Sequence, residues 1–233
     1  MTMFGALTDH FGLATLDTDL TLVASSKEPV EQSRADAQDE NGDVAASAYY
    51  GNTAGTLFEV SCTYALKGGS IDLSTILIGE TASGTIRESV EVSTSNSEFP
   101  QITVNGKLGA QDVTDPSGKT STFALPSITI NGIKQAQLLG FTVSAGRLTG
   151  SSLEASIELA QQDDGVGEPI AHGLSGGTGT VTAEFVRINS SAPAWTVTLS
   201  GATESKKPGV DEGQAAFHTT TAAYGFTLTR GTV

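Results

Sequence analysis

Three residues in the second half of the chain have the types and the order of a catalytic triad. Ser175 lies within the sequence GLSGG, which matches the G-x-S-x-G pattern of a nucleophile elbow, and Asp211 and His218 follow in the order found in α/β-hydrolases. The elbow works only where a strand delivers the serine into a sharp turn that opens into a helix. The next residues, TGTVTAEFV, are instead rich in β-branched side chains and predict a strand. We therefore expect a protein that is not an enzyme and has no catalytic residue, with a serine hydrolase as the last alternative.

An acidic stretch near the start of the chain, residues 34–51, has some features of a calcium-binding loop. Its sequence, RADAQDENGDVAASAYYG, places four acidic side chains around the Asn41-Gly42 pair. An EF-hand loop with Gly42 at its sixth position would have Ala37 at the first ligand position and Ala48 at the twelfth, so that two required oxygen ligands are missing. Asn-Gly is also the pair that tolerates the positive φ angles of a tight type I′ turn. We therefore predict the tip of a β-hairpin there.

Two further kinds of functional site, a phosphate-binding loop and a metal site, lack residues that they require. Residues 117–121, SGKTS, resemble the end of a phosphate-binding P-loop, but that motif requires glycine where Val113 stands. The three histidines have no Cys, His or Glu at the spacing of metal ligands, and the acidic residues at 163–168 are typical of a solvated turn. The sequence thus predicts no metal and no other cofactor.

The composition favours strands as the elements that position these residues. The chain has 233 residues, of which 38% are hydrophobic and only 6% aromatic, and it contains 27 glycines. Abundant Gly, Ser and Thr suit many short strands joined by turns. We predict an all-β fold with at most one or two short helices, for which residues 72–79 and 132–140 are the candidates. Residues 153–160, LEASIELA, alternate as a strand does and are assigned to one.

Charge and hydropathy exclude several classes of function. The formal net charge is −14, from 26 acidic and 12 basic residues, and a surface this negative repels the phosphates of nucleic acids. There is no stretch of about 18 apolar residues and no basic segment followed by an apolar one at the start. We therefore expect a soluble protein without membrane contact that is not secreted by the usual route. Cys62, the one cysteine, excludes an intrachain disulfide and is expected to be a small buried hydrophobe.

The chain matches itself when it is shifted by 125 residues. The aligned identities are Ala35 with Ala160, Asp39 with Asp164, Gly42 with Gly167, Ala46 with Ala171, Gly51 with Gly176, Thr53 with Thr178 and Glu59 with Glu184. The pattern indicates a tandem duplication into two similar β-sandwich or barrel units, residues 1–118 with an N-terminal arm and residues 119–233. Residues 115–121, DPSGKTS, form the predicted joint. The alternative is two unrelated β regions that share turn chemistry.

Several segments resemble structural proteins of tailed-bacteriophage virions, in particular proteins of the tail-tube type. They are SRADAQDENGDVAASAYYGN at residues 33–52, FEVSCTYAL at 58–66, SVEVSTSNSEFPQITVNG at 89–106 and ASIELAQQDDGVGEPIAHGLSGG at 155–177. The resemblance implies β units joined into rings of sixfold symmetry, which stack into a tube whose lumen passes DNA. A negative lining would let DNA slide. It implies a protein of the virion, assembled in the cytoplasm of the bacterial host.

The partners implied by this resemblance are other copies of the chain and other tail proteins. Because of the duplication, three chains forming a pseudo-sixfold ring and six chains forming a hexamer both remain open. The expected assembly contacts lie in the opening segment, residues 4–16, and in the two hairpin tips: Phe4, Phe11, Leu13, Asn41, Gly42, Gly165 and Gly167. In the alternative for the opening segment, its phenylalanines seal the core of their own chain.

A second class of function shares this composition. Surface or decoration modules built from β-sandwiches that bind glycans are also rich in Gly, Ser and Thr. That alternative predicts a monomer or small oligomer with Trp195 or the Tyr49-Tyr50 pair exposed to stack on sugar, whereas we expect these aromatic residues to pack in a core.

Overall fold

A computed structural model describes most of the chain as β-strands. The described residues are 10–13, 20–30, 33–50, 57–66, 77–80, 84–95, 98–109, 119–124, 127–131, 133–136, 141–143, 146–165, 169–187, 196–200, 202–204, 209–212, 219–228 and 230–232. The strands of the first part are β1 (Leu20–Pro29), β2 (Ser33–Gln38), β3 (Val44–Tyr50), β4 (Phe58–Leu66), β5 (Leu77–Glu80), β6 (Thr85–Ser95), β7 (Gln101–Leu108), β8 (Lys119–Ala124) and β9 (Ser127–Asn131). The remaining strands are β10 (Ile133–Ala136), β11 (Phe141–Val143), β12 (Gly146–Asp163), β13 (Pro169–Arg187), β14 (Thr196–Ser200), β15 (Ala202–Glu204), β16 (Gly209–Glu212), β17 (Thr219–Leu228) and β18 (Arg230–Thr232).

The predicted all-β class is confirmed, and among the described residues no helix occurs. Residues 153–160 lie within β12, as their alternation predicted. Of the two helix candidates, the parts that are described are strands, at 77–79 in β5 and 133–136 in β10. The rest of both candidates, and residues 115–118 of the predicted joint, lie outside the described residues.

One large antiparallel sheet dominates the fold. Its strands follow the order β1-β4-β7-β6-β12-β13-β17, and both β15 and β16 then pair with the outer edge of β17. β16 pairs with residues 220–223 of β17 and β15 with residues 226–228, so the two short strands lie one after the other along that edge. A smaller sheet has the order β10-β11-β9-β14, and β2 and β3 form a hairpin of their own.

Three further pairings bend the large sheet into a closed circuit. β5 pairs with β6 at residues 86–87 and with β8, and β8 pairs with β18. β18 follows β17 after a single residue. Pairing therefore links β6 through β12 and β13 to β17, the chain itself leads from β17 to β18, and pairing links β18 through β8 and β5 back to β6. β7, β4 and β1 extend the sheet on the other side of β6.

The hydrophobic core lies on one face of this sheet. In β4, alternate residues are buried while their neighbours are partly exposed, as expected where one face of an antiparallel sheet is covered. The largest fully buried side chains come from both halves of the sequence: Leu13, Tyr64, Ile78, Ile86, Ile102, Phe123, Leu153 and Phe226. Cys62 is fully buried among them, as predicted. Both halves thus contribute to one continuous core.

The N-terminal segment, residues 10–13, covers part of this core. The hydroxyl of Thr85 donates a hydrogen bond of 2.6 Å to the carbonyl of Phe11, and the N–H of Leu13 donates one of 2.8 Å to the carbonyl of His10. Phe11 and Gly12 have positive φ angles of 48° and 75°, which turn the chain so that Leu13 enters the core. Phe11 packs against the core and is partly buried.

Leu13, which the sequence analysis placed among the assembly contacts, is therefore not exposed on the surface of this chain. Its side chain is fully buried, because Gly106 leaves room for it. A Cβ atom at Gly106 would lie 2.8 Å from Leu13 Cδ2 and would also clash with the carbonyl of Ile86. The position of Phe11 agrees with the alternative that this segment seals the core, and Phe4 lies outside the described residues.

We expect Leu13→Ala to lower the free energy of unfolding by about 2–5 kcal/mol, because it removes a fully buried side chain and leaves a cavity. Phe99→Ala is the matched control, because Phe99 is 72% exposed and its loss should change stability by less than about 0.5 kcal/mol. Urea unfolding followed by circular dichroism measures both values. Equal, small losses for the two variants would show that residues 10–13 do not cover the core in solution.

Candidate functional site

The residues of the apparent catalytic triad do not form a nucleophile elbow. Ser175 lies within β13, and the backbone continues as strand to Arg187 rather than turning into a helix. Asp211 lies in β16, and His218 lies outside the described residues. The P-loop-like stretch likewise enters a strand, because β8 begins at Lys119. The backbone at both places thus lacks the strand-turn-helix geometry on which these motifs depend.

The described side chains contain no group of three His, Cys, Asp or Glu residues that could hold a metal ion. His10 stacks on Tyr64, with ring centroids 5.8 Å apart, and its Nδ1 lies 3.1 Å from the Tyr64 hydroxyl. Burial, followed by the neighbouring Cys62, raises the pKa of Tyr64 well above its usual range. The phenol therefore stays protonated, and the contact holds the N-terminal segment on the core. Tyr49 and Tyr50 lie in β3, but their side chains are not among those that the structure describes. Trp195 lies outside the described residues.

The predicted hairpin at Asn41-Gly42 is present, but its turn is not the type I′ turn that an Asn-Gly pair tolerates. That turn needs positive φ at both central residues, whereas only Gly42 has one, of 86°. The loop is closed by Asp39: its N–H donates to the carbonyl of Asp43 at 2.8 Å, and its carbonyl accepts from Gly42 at 3.1 Å. The Asp39 carboxylate also accepts hydrogen bonds from the N–H groups of Asn41 at 2.8 Å and Asp43 at 2.9 Å. Hydrogen bonds to the Asp39 carboxylate thus stabilise this turn, in which Gly42 is the one residue with a positive φ angle.

This hairpin projects into solvent. Every described side chain from residue 34 to residue 48 is exposed. On one face of the hairpin, Arg34 forms an ion pair of 2.7 Å with Asp36, and the hydroxyl of Ser47 donates to the same carboxylate at 2.6 Å. A two-stranded hairpin with so little burial is marginally stable on its own in water. Its surface is therefore available for a contact outside this chain.

The far ends of β12 and β13, residues 158–165 and 169–175, form a second hairpin end with the same pairing. In the first hairpin, Ala37 pairs with Ala46 and Gln38 with Val44, and the register shifts between the two pairs. Adding 125 to each number gives Gln162 with Ala171 and Asp163 with Pro169, which are the pairs observed, with a register shift at the same step. Gly165 is exposed at this end, as Asn41 and Gly42 are at the first, and Gly167 lies outside the described residues.

Both hairpin ends point to the same end of the large sheet. Each neighbouring pair from β1 through β4, β7 and β6 to β12 is antiparallel, so after four such steps β1 and β12 run in the same direction. The first hairpin follows β1, and the second hairpin end follows the paired part of β12. Both candidate contact regions therefore begin at the same end of the large sheet, after strands that are four positions apart in it.

The face of the sheet opposite the core, which we call the open face, is lined by small polar side chains. Hydroxyl groups meet across neighbouring strands at Thr63 and Thr103, 3.1 Å apart, and at Ser152 and Thr182, 2.5 Å apart. The amide of Asn105 donates to the hydroxyl of Ser89 at 3.1 Å. These short side chains leave a depression of about 350 Å³ centred on the pairing of β6 with β12.

The charge of the open face is negative. By strand alternation and pairing, its glutamates are Glu28, Glu59, Glu91, Glu154, Glu158 and Glu184. The described cation that faces them, Lys107, lies 3.4 Å from Glu88 in an ion pair. Glu28 pairs directly with Glu59, and Glu91 with Glu154. Like charges placed directly opposite each other destabilise an antiparallel pair, so this face carries its negative charge at a cost in stability.

No helix long and apolar enough to span a membrane occurs among the described residues. No protein-family model matches the chain, and no curated protein matches it.

The pKa of Asp39 is lowered because the N–H groups of Asn41 and then Asp43 donate to its carboxylate. A lowered folded pKa means that this stabilisation is present above the unfolded pKa and is lost as the pH falls through the folded one. We expect the NMR titration of the Asp39 carboxyl carbon in the native protein to have a lower midpoint than in the urea-unfolded chain. An equal or higher midpoint in the native protein would contradict the loop geometry.

We expect Glu91→Gln to raise the free energy of unfolding by about 0.2–1 kcal/mol, because it removes one of two like charges that face each other across β6 and β12. The gain should shrink in 1 M salt, which screens exposed charges. Glu98→Gln, at an exposed residue beyond the end of β6, is the control and should give a smaller change. Urea unfolding at low and high salt measures the effect, and a less stable Glu91→Gln variant would contradict the pairing.

Proposed function

We propose that this chain is a non-enzymatic structural protein of a bacteriophage virion, of the tail-tube type, that assembles with copies of itself into rings which stack around a DNA-conducting lumen. The observation that carries the proposal is the arrangement of the large sheet. It consists of two arrays of strands with the same order, joined edge to edge in the same direction.

The first array is β1-β4-β7-β6, and the second array is β12-β13-β17-β16. In each array, the second strand pairs with the first and the third, the third pairs with the fourth, and all pairs are antiparallel. The hairpin or hairpin end lies between the first and second strands of each array. This repeated order, together with the shared register of the two hairpin ends, supports the internal duplication and the two units proposed from the sequence.

The two arrays are joined head to tail. The last strand of the first array, β6, pairs with the first strand of the second array, β12, and both hairpin ends point the same way. A contact that joins two different surfaces of equivalent units adds further units in the same sense and forms a ring when the rotation closes. A twofold contact, in contrast, would point the two hairpin ends in opposite directions. The join within the chain therefore has the symmetry that a ring requires.

The open face supports the assignment of this ring to DNA passage. Its glutamates repel phosphate, and its hydroxyl groups offer neither the cations nor the exposed aromatic rings that hold nucleic acid. If the continuous sheet curves around a lumen with this face inward, DNA meets a negative polar lining along every strand. The cost of the like-charge pairs then has a functional reason.

Negative-stain electron microscopy of the purified protein at high concentration tests the proposal. We expect rings with a central hole, because among the described strands β1 and β16 each pair on one side only. We also expect short tubes in which such rings are stacked. Light scattering should give a ring mass that is a multiple of 23.8 kDa, three chains for a pseudo-sixfold ring or six for a hexamer. A monomer at every concentration, with no rings in the micrographs, would overturn the proposal.

A further inference from the structure

We infer that β1 of one copy pairs antiparallel with β16 of the next copy, in a seam between chains that repeats the pairing of β6 with β12 within the chain. This seam rests on the proposed ring and specifies its contact. Among the described strands, β1 pairs only with β4 and β16 only with β17, so both present an outer edge. They are the first strand of the first array and the last strand of the second.

The directions of these strands fit the seam. β6 runs opposite to β12, and it occupies the fourth position of its array, as β16 does in the second. Because β1 and β12 run in the same direction and β16 is antiparallel to β17, β16 runs in the direction of β6. A second copy placed by the head-to-tail step therefore brings its β1 antiparallel to β16, as an ordinary sheet requires.

The sequence of β16 matches the part of β6 that contacts β12. Residues 89–92 of β6 are SVEV, and residues 209–212 of β16 are GVDE. Val90 pairs with Val104 on the core side of the sheet, and Val210 pairs with Ala222. Glu91 pairs with Thr103, and Asp211 pairs with Thr221. The two strands thus share the valine and the acidic residue that pairs with threonine, whereas Gly209 and Glu212 stand where β6 has Ser89 and Val92.

The sequence of β1 matches the part of β12 that contacts β6. Residues 25–28 are SSKE, and residues 151–154 are SSLE. Ser25 pairs with the buried Cys62, and Ser151 with the buried Ala183, so both serines lie on the core side. Glu28 and Glu154 both lie on the open face. The match therefore preserves the two serines and the glutamate on their faces of the strand, whereas Lys27 stands where Leu153 is buried in β12.

These two matches set the register of the seam; the match of residues 25–28 with residues 151–154 has a shift of 126 residues, one more than the shift that relates the two hairpin ends. Within the chain, Glu91 is opposite Glu154. Substituting Asp211 for Glu91 and Glu28 for Glu154 places Glu28 of one copy opposite Asp211 of the next. Pro29 follows Glu28 and has no N–H to donate, so the part of β1 open to a full ladder is residues 20–28. The seam repeats the like-charge pair on the open face, so the negative lining continues from chain to chain.

A cysteine pair tests this register directly. In Glu28→Cys/Asp211→Cys, the two thiols lie at opposite positions only if neighbouring copies pair as proposed. Glu91→Cys/Glu154→Cys is the matched control, because it places thiols at the equivalent position within one chain. Both variants are assembled at high concentration, oxidised with copper phenanthroline and separated on a non-reducing denaturing gel. The buried Cys62 is common to both and to the single variants.

On the non-reducing gel, we expect Glu28→Cys/Asp211→Cys to run as disulfide-linked oligomers, which a reducing agent converts to monomers. Either single variant and the matched control should run at the monomer position. A ladder that ends at a closed ring supports the seam and the ring together. Rings in the micrographs without these oligomers would overturn the seam and leave the proposed function standing. A disulfide closed within one chain would overturn the seam, because β1 and β16 would then meet in their own molecule. Disulfide-linked oligomers without rings in the micrographs would support the pairing of β1 with β16 and contradict the proposed tail tube.

Discussion

The fold depends on one backbone constraint: the N–H and C=O groups at the edge of a strand need partners. Within the chain this constraint is met by the pairing of β6 with β12, which joins two arrays of strands into a single sheet. The same pairing lets Val92 and Leu153 meet on the core side, so both arrays share one core. It also leaves β1 and β16 at the two ends of the sheet, where the backbone remains exposed among the described strands. Exposed edges of this kind are sites of association with other chains.

The two faces of the sheet differ in how closely their side chains pack and in the charge that they carry. The core face is closely packed, to the point that a Cβ atom at Gly179 would lie 2.9 Å from the carbonyl of Glu154 and clash with the ring of Phe226. The open face has short side chains whose hydroxyl groups meet across strands, and it has opposed glutamates, which destabilise the strand pairs that carry them. A sheet selected only for stability would replace Glu91 or Glu154 with a neutral or basic residue. The retained negative charge is consistent with a surface that must not bind a polyanion.

The sequence predicted individual strands and the first hairpin better than it predicted the contacts between distant residues. Alternation of polar and apolar residues identified β12, and the Asn-Gly pair identified the first hairpin, because both are local signals. The turn is not the type I′ turn that Asn-Gly tolerates, because the Asp39 carboxylate accepts two backbone hydrogen bonds that a pattern based on φ preferences does not include. The burial of Leu13 was missed because its site is created by Gly106 and Ile86, which are far away in the sequence. The small size of Gly106 was the one available signal.

The like-charge pairs on the open face were also beyond sequence analysis. They arise from the register between strands, which places Glu91 opposite Glu154 although more than 60 residues separate them. From composition alone only the net charge of −14 is known, and it does not indicate which face carries the charge. The alignment of the chain with itself places the two hairpin ends 125 residues apart, and their pairing registers differ by the same number.

Hydrogen–deuterium exchange of β1 measures most directly whether its edge has a partner. In assembled protein, we predict that peptides covering residues 20–28 exchange as slowly as peptides covering residues 150–156 of β12, which are paired on both sides. Dilution to the monomer should accelerate exchange in β1 and leave β12 unchanged. Exchange in β1 that is fast at every concentration would contradict the proposal that this edge joins neighbouring copies.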